Sequence, residues 1–183
     1  MKNKLLLLAA GTAIAGLAAA PAKAVSNGVL TFEGEVVSNT CNIVAGTENQ
    51  TIRLPGVNAS HFTGLGSTAA RTRFTVTISD CTVATTARVF FEASATNINY
   101  TQNALRNLDT ILPGGARGIG FALWDENNAN RISLGMAEQG TAFRAAPAGA
   151  ATQLGYEVAY VQYEPVVVPG IVRGQAEYTI QYQ

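Results

Sequence analysis

The sequence offers few side chains that could perform catalysis. His61 is the only histidine, and Cys41 and Cys81 are the only cysteines. A nucleophilic serine or cysteine needs a base beside it, so any catalytic triad would have to use His61. The residues around it contain no nucleophile motif. We therefore expect His61 to be a surface loop residue, the chain to have no catalytic residue, and the protein not to be an enzyme.

The acidic stretch 125–130 is the best candidate for a metal site, because carboxylates and asparagines bind calcium. It lacks the glycine and the closing glutamate that a calcium loop requires. One histidine and scattered carboxylates cannot form a zinc site either. The stretch is more typical of a hairpin turn, and no metal and no cofactor are expected. Just before it, Trp124 should point away from Leu123, towards solvent or a stacked subunit.

The two cysteines are better suited to structure than to redox chemistry. Their number is even, they form no C-x-x-C motif, and an export signal precedes them. These features favour a single disulfide formed in an oxidising compartment. We predict a bond between Cys41 and Cys81.

Residues 1–24 have the pattern of an export signal, with two lysines, an apolar run and a small-x-small cleavage site at Ala22–Ala24. All three lysines lie in this segment. Its removal leaves nine arginines against 12 acidic residues. Such a chain has no basic surface for nucleic acid or anionic membranes. We expect one exported domain and no nucleic-acid partner.

Apolar residues alternate at period 2 along most of the remaining chain, which predicts strands and an all-β fold. The clearest examples are 71–80, 87–93, 118–124, 154–163 and 174–183. A shorter strand is expected at 49–55, and a helical turn near 102–105. Strands at this spacing, separated by Gly- and Pro-containing turns, favour an immunoglobulin-type β-sandwich.

The N-terminal stretch 25–37 is also a predicted strand. The face that would be buried carries five alternate residues, Gly28, Leu30, Phe32, Gly34 and Val36. This strand could close the sheet of its own domain, or it could complete the sheet of another molecule.

The last strand is amphipathic as well, with Ala176, Tyr178, Ile180 and Tyr182 on one face. No later segment could cover its outer edge. An exposed apolar edge is an aggregation hazard that soluble proteins normally protect. The sequence therefore combines an uncovered strand at one end with a spare strand at the other.

This ordered set of features resembles the subunits of chaperone–usher fimbriae, the type 1 pilin family. The shared features are the signal peptide, an alternating N-terminal extension before Cys41, a second cysteine about forty residues later, the glycine Gly170, and an ending with Tyr182 in the penultimate position. The resemblance implies an incomplete immunoglobulin-like sandwich without its last strand. It implies three segments, a signal peptide (1–24), a donor-strand extension (25–40) and a pilin domain (41–183).

The resemblance also implies how the subunit polymerises. The extension of one subunit, through Gly28, Leu30, Phe32, Gly34 and Val36, would fill the groove of the next. The groove and the chaperone-binding ending would involve the C-terminal residues Gly170, Ala176, Tyr178, Ile180, Tyr182 and Gln183. The implied partners are other copies of the chain, other fimbrial subunits, a periplasmic chaperone and an outer-membrane usher, with no small-molecule substrate. The implied destination, reached through the periplasm, is a cell-surface fimbria that supports adhesion.

Two other interpretations stay open at this stage. The N-terminal strand could belong to a closed sandwich. The protein could also be a minor or adaptor subunit, or a single-domain adhesin, although residues 25–183 leave no room for an additional receptor-binding domain.

Overall fold

A computed structural model describes residues 30–32, 41–127 and 129–183. The predicted signal peptide and most of the predicted donor-strand extension lie outside the described residues. The chain divides into two units, Met1–Val36 and Val37–Gln183. None of the helices in the described ranges is long and apolar enough to cross a membrane.

The regular structure in the described part of the second unit consists of strands and two short 3₁₀ helices, which confirms the predicted all-β class. The strands are β1 (Asn42–Ile43), β2 (Thr68–Ser79), β3 (Thr85–Glu92), β4 (Ile98–Asn99), β5 (Ala104–Arg106), β6 (Ile119–Asp125), β7 (Arg144–Ala146), β8 (Thr152–Gln162) and β9 (Glu177–Tyr182). They form a six-stranded sheet in the order β1-β2-β8-β6-β5-β4 and a three-stranded sheet in the order β7-β3-β9. Every ladder between these strands is antiparallel.

The core lies between the two sheets and follows the period-2 pattern of the sequence. Val76 in β2 and Val89 in β3 are buried, and Tyr156 in β8 is completely buried. The N–H of Val89 donates to the Tyr156 hydroxyl at 3.0 Å, so the buried hydroxyl has a partner. Burial raises the pKa of Tyr156 to about 12. The buried Tyr156 hydroxyl therefore has a hydrogen-bond partner and stays neutral at physiological pH.

The predicted disulfide is present between Cys41 and Cys81, which are 40 residues apart in the sequence. Cys81 follows β2 closely and is buried. The bond ties the start of the second unit's described part to the end of its longest strand. In the chain-entropy model, closing a loop of this length stabilises the fold by about 4 kcal/mol.

Two local predictions are wrong. Residues 102–105 do not form a helical turn, because β5 occupies Ala104–Arg106 and pairs with β6. The stretch 49–55 does not join a ladder with any described strand. Within the described residues, no backbone hydrogen bond joins 51–55 to a neighbouring strand.

Trp124 does point away from Leu123, as predicted, but it does not face solvent. Its side chain is buried with Ala159 on the outer side of the six-stranded sheet. The Arg71 guanidinium lies 4.2 Å from the ring centroid and that of Arg131 lies 5.4 Å from it. Long arginine side chains cover apolar surface with their stems and stack their cations on aromatic rings. The ring is therefore covered by its own chain.

A candidate strand-accepting groove

The strand β9 has one paired edge and one free edge. Its residues pair with β3 from Ala87↔Tyr182 to Glu92↔Glu177. Within the described residues no strand pairs with the opposite edge. The backbone groups of that edge are free to bond another chain.

The side chains of β9 alternate as the sequence predicts. Tyr178, Ile180 and Tyr182 are half-buried and pack against the main core, as does Ala176 just before the strand. Thr179 on the other face is exposed. The apolar face of β9 therefore forms a floor that is only partly covered.

A second unpaired backbone stretch packs against the same core as β9. In residues 51–57, Ile52 and Leu54 are half-buried against the main core while Arg53 between them is exposed. Among the described residues, no backbone hydrogen bond joins 51–57 to a neighbouring strand. The free edge of β9 and the stretch 51–57 thus both have unpaired backbone beside the same apolar core.

Two tyrosine hydroxyls connect β9 to the segment that precedes the stretch 51–57. The N–H of Cys41 donates to the Tyr182 hydroxyl at 3.2 Å, and the Tyr178 hydroxyl donates to the carbonyl of Thr47 at 3.0 Å. Burial is the main cause that raises the pKa of Tyr178. The segment from Cys41 to Thr47 therefore runs antiparallel to β9.

The chain's last residue is also fixed by hydrogen bonds. The backbone N–H of Thr86 donates to the main-chain oxygen of Gln183 at 3.2 Å, and the Thr86 hydroxyl donates to the same oxygen at 3.0 Å. Gln183 itself is exposed. A cationic partner could thus approach this end of the groove, and the predicted chaperone contact of Gln183 stays a prediction.

Gly170 lies apart from β9. A Cβ at this position would come within 2.4 Å of the carbonyl oxygen of Gly114. The close approach of two backbones explains why glycine stands here. Its predicted part in the groove stays a prediction.

Of the predicted donor residues, Leu30 and Phe32 lie in the described part. Their side chains are 82% and 88% exposed. Gly28, Gly34 and Val36 lie outside the described residues. Leaving two large apolar side chains in water is unfavourable by roughly 1.5–3 kcal/mol each relative to full burial. Packing of these two side chains against a partner would remove this cost.

Sequence reasoning did not predict that the stretch 51–57 is unpaired. The alternation of Ile52 and Leu54 was visible, but it predicts only a strand and not which partner the strand lacks. His61 lies at the exposed end of a short 3₁₀ helix, Ala59–His61. Over the ranges that the structure describes, no cluster of three His, Cys, Asp or Glu side chains could hold a metal ion.

The family model described as "Fimbrial protein" matches residues 30–183, which is most of the sequence and includes every described residue. The chain belongs to the fimbrial protein family. The F17 fimbrial protein of Escherichia coli is 30% identical over 163 residues, covering 86% of this chain and 88% of the relative. The fimbrial subunit type 1 of Klebsiella pneumoniae is 27% identical and covers 98% of this chain and 96% of its own length.

Solved structures agree on the fold. The crystal structure of the P pilus rod subunit PapA matches with a TM-score of 0.57 at 14% identity, covering 78% of this chain and 99% of that subunit. A subunit of a chaperone–usher pilus matches with a TM-score of 0.58 at 15% identity, covering 90% of this chain and all of the other. This fimbrial protein therefore has the pilin sandwich. As a member of the fimbrial protein family, it is a structural subunit of a cell-surface fimbria and assembles with other fimbrial subunits.

Proposed function

We propose that this subunit polymerises by donating its N-terminal strand to the groove of a neighbouring copy. The observation that carries the proposal is the free edge of β9, whose half-buried apolar face packs against the same core as the unpaired stretch 51–57. Addition of an extended segment to an exposed sheet edge is a general recognition mode, and pilins and their chaperones use it. Main-chain bonds supply affinity, and alternate side chains set the register.

The donor face consists of Gly28, Leu30, Phe32, Gly34 and Val36. Leu30 and Phe32 supply most of the apolar contact, while the glycines fit where the two backbones approach closely. A strand of this length spans about 30 Å, enough to follow the groove past the whole of β9. The contact is head to tail and does not close, so repetition produces a filament.

The domain plan follows from this mechanism. Residues 1–24 direct export and are removed, residues 25–40 carry the donor strand, and residues 41–183 form the accepting pilin domain. Before assembly the apolar groove must be protected from aggregation. We assign that role to a periplasmic chaperone, which lends a strand to β9 and binds the C-terminal carboxylate of Gln183 with basic residues beside Tyr182. An outer-membrane usher then receives the subunit.

We assign the chain to the repeating shaft, with a structural and not a catalytic role. A length of one domain and the presence of both a donor strand and a groove suit a subunit that repeats. A minor or adaptor subunit is the second candidate, because it would need the same two features.

Refolding in the presence of a donor peptide tests the mechanism. The protein should carry Phe32→Asp, so that its own extension does not compete, and the peptide should match residues 26–37. At a peptide concentration a hundredfold above its dissociation constant, the free energy of unfolding should rise by about 2.7 kcal/mol. The same peptide with Phe32→Asp is the matched control. An unfolding midpoint that is indifferent to the unmodified peptide would contradict the proposal.

A further inference from the structure

Two loops at the start of β9, 107–117 and 163–173, are held together by Asn107. Its side-chain N–H donates to the carbonyl of Ile171 at 2.9 Å, and its side-chain oxygen accepts from the N–H of Arg173 at 2.8 Å. Asn107 is itself buried. A buried amide that bonds both loops fixes their relative position.

An ion pair adds to this connection. Arg173 bonds both carboxylate oxygens of Asp109, with its Nε at 2.6 Å and a terminal nitrogen at 2.8 Å. The backbones of Arg117 and Val168 also exchange two hydrogen bonds of 3.1 Å. The loops are therefore ordered before any partner binds, which lowers the entropic cost of binding.

These ordered loops expose a large apolar surface. In the described part of the chain, twelve large apolar side chains are exposed, and six of them lie on the two loops. We call these six the pole surface: Leu108, Ile111, Leu112, Val166, Val168 and Ile171. Ile111 is 88% exposed and Ile171 is 62% exposed. A cluster of this kind marks an interaction surface more often than chance exposure does.

The groove opens onto the pole surface. A cleft of about 320 Å³ lies where the stretch 51–57 meets the second loop, and Val57, Phe62, Tyr160, Val168 and Ile171 are among its lining residues. The opposite end of the groove lies at Cys41 and Tyr182. The pole surface is thus continuous with the end of the groove where β9 begins.

The direction of the donor strand determines which part of the neighbouring copy lies beside the pole surface. β9 offers a free edge of six residues, whereas Pro55 in the stretch 51–57 has no N–H to donate. The main ladder of the donor should therefore form on β9. An antiparallel ladder is the more stable arrangement, and it matches every other strand pairing described here. The end of the donor strand then lies beside the start of β9.

The donor's own domain must follow closely. Five residue steps separate Val36 from Cys41 in the sequence, and they span at most about 18 Å. We infer that the pole surface is the docking site for the domain of the neighbouring copy whose strand fills the groove. This inference rests on the proposed donor-strand function and adds a second contact to it.

The test compares two measurements on Ile111→Asp and Ile171→Asp. The first is affinity for the donor peptide of residues 26–37, with Phe32→Asp added to empty the groove, and the second is the rate of fibre growth by the chain with its own donor strand. Charge placed at a contact of two domains should slow fibre growth about tenfold or more. Peptide affinity should stay within about twofold, because the peptide carries no domain.

Val83→Asp is the matched control, because Val83 is 47% exposed and lies just before β3, at the Tyr182 end of β9. This variant should form fibres at the normal rate. Normal fibre growth by both pole variants would overturn the inference and leave the donor strand intact. Failure of the unmodified groove to bind the peptide would instead overturn the donor strand, and with it the pole contact.

A cross-linking experiment tests the same domain contact at the pole surface. It introduces no charge and does not require fibres to grow at the normal rate. Copies carrying Ser38→Cys are mixed with copies carrying Ile111→Cys or Val83→Cys, and a short bis-maleimide is added. Linkage of Ser38→Cys to Ile111→Cys supports docking at the pole. Preferential linkage to Val83→Cys would place the donor's domain at the other end and overturn the inference.

Discussion

The two outer strands of the three-stranded sheet, β7 and β9, differ in how far their outer edges are protected. β7 has three residues and is followed by a proline, and its Arg144 pairs with the buried Asp125 at 2.8 Å. β9 has six residues, alternates regularly and carries its half-buried apolar face to an open edge. Soluble proteins normally blunt such edges. On the proposed mechanism, the open edge of β9 is the one that receives a partner strand.

The most severe test of this contrast is Phe32→Asp. On the proposed mechanism it places a carboxylate in the apolar groove of the neighbouring copy, where an unpaired charge is strongly disfavoured. We expect no fibres by electron microscopy, although the variant should still accept a donor peptide. Glu33→Gln on the opposite face is the matched control and should polymerise. Normal fibres from Phe32→Asp would mean that this face is not buried.

The blunted edge can be broken by Asp125→Ala. Asp125 accepts from Arg144 and from the N–H of Ala142, both at 2.8 Å. Removing one partner of a buried ion pair costs about 3–5 kcal/mol. Urea unfolding should show this loss, while the increase in stability on peptide binding should be unchanged.

The control for that variant is Glu138→Gln, because Glu138 is 88% exposed and lies 3.7 Å from Arg88. A surface pair of this kind contributes about 0–1 kcal/mol. Equal losses for the two variants would show that β7 is not secured by the buried pair.

A smaller effect is expected for Tyr178→Phe. This change keeps the groove floor and removes one hydrogen bond between β9 and Thr47. The lost hydrogen bond to Thr47 is worth about 1 kcal/mol of unfolding free energy. Tyr100→Phe, at an exposed tyrosine, is the control. If the two variants have the same urea midpoint, the hydrogen bond from the Tyr178 hydroxyl to Thr47 does not stabilise the fold.

The smallest expected effect is an acid dependence of the loops that precede β9. Hydrogen bonding to Arg173 is the main cause that lowers the pKa of Asp109 below its ordinary value. A lowered pKa means that the native state binds its proton less readily than the unfolded state. The stabilisation is therefore complete above about pH 4 and is lost as the pH falls through the lowered value. Urea midpoints measured from about pH 5 to about pH 3 should fall less in Asp109→Asn than in the unmodified chain.

Much of the fold could be predicted because strand periodicity is a local property. Val76 and Ile78 lie on one face of their strand, and Tyr178 and Ile180 lie on one face of theirs. This alternation with polar residues showed which faces are buried, and the structure places these four residues against the core. Trp124 was harder, because its cover comes from Arg71 and Arg131, which are distant in the sequence. Alternation predicts which side of a sheet a residue faces, but not what covers that side.

The candidate site divides in the same manner. The amino-acid sequence by itself determined the disulfide partners, the all-β class and the apolar face of β9, because each depends on residue type and spacing along a short stretch, and its N-terminal strand stays a prediction. The tertiary structure decided that 51–57 packs against the core without a ladder, that β7 is the blunted edge, and that two ordered loops expose the pole surface. These features depend on contacts between residues far apart in the sequence, and the packing of the whole sandwich fixes them.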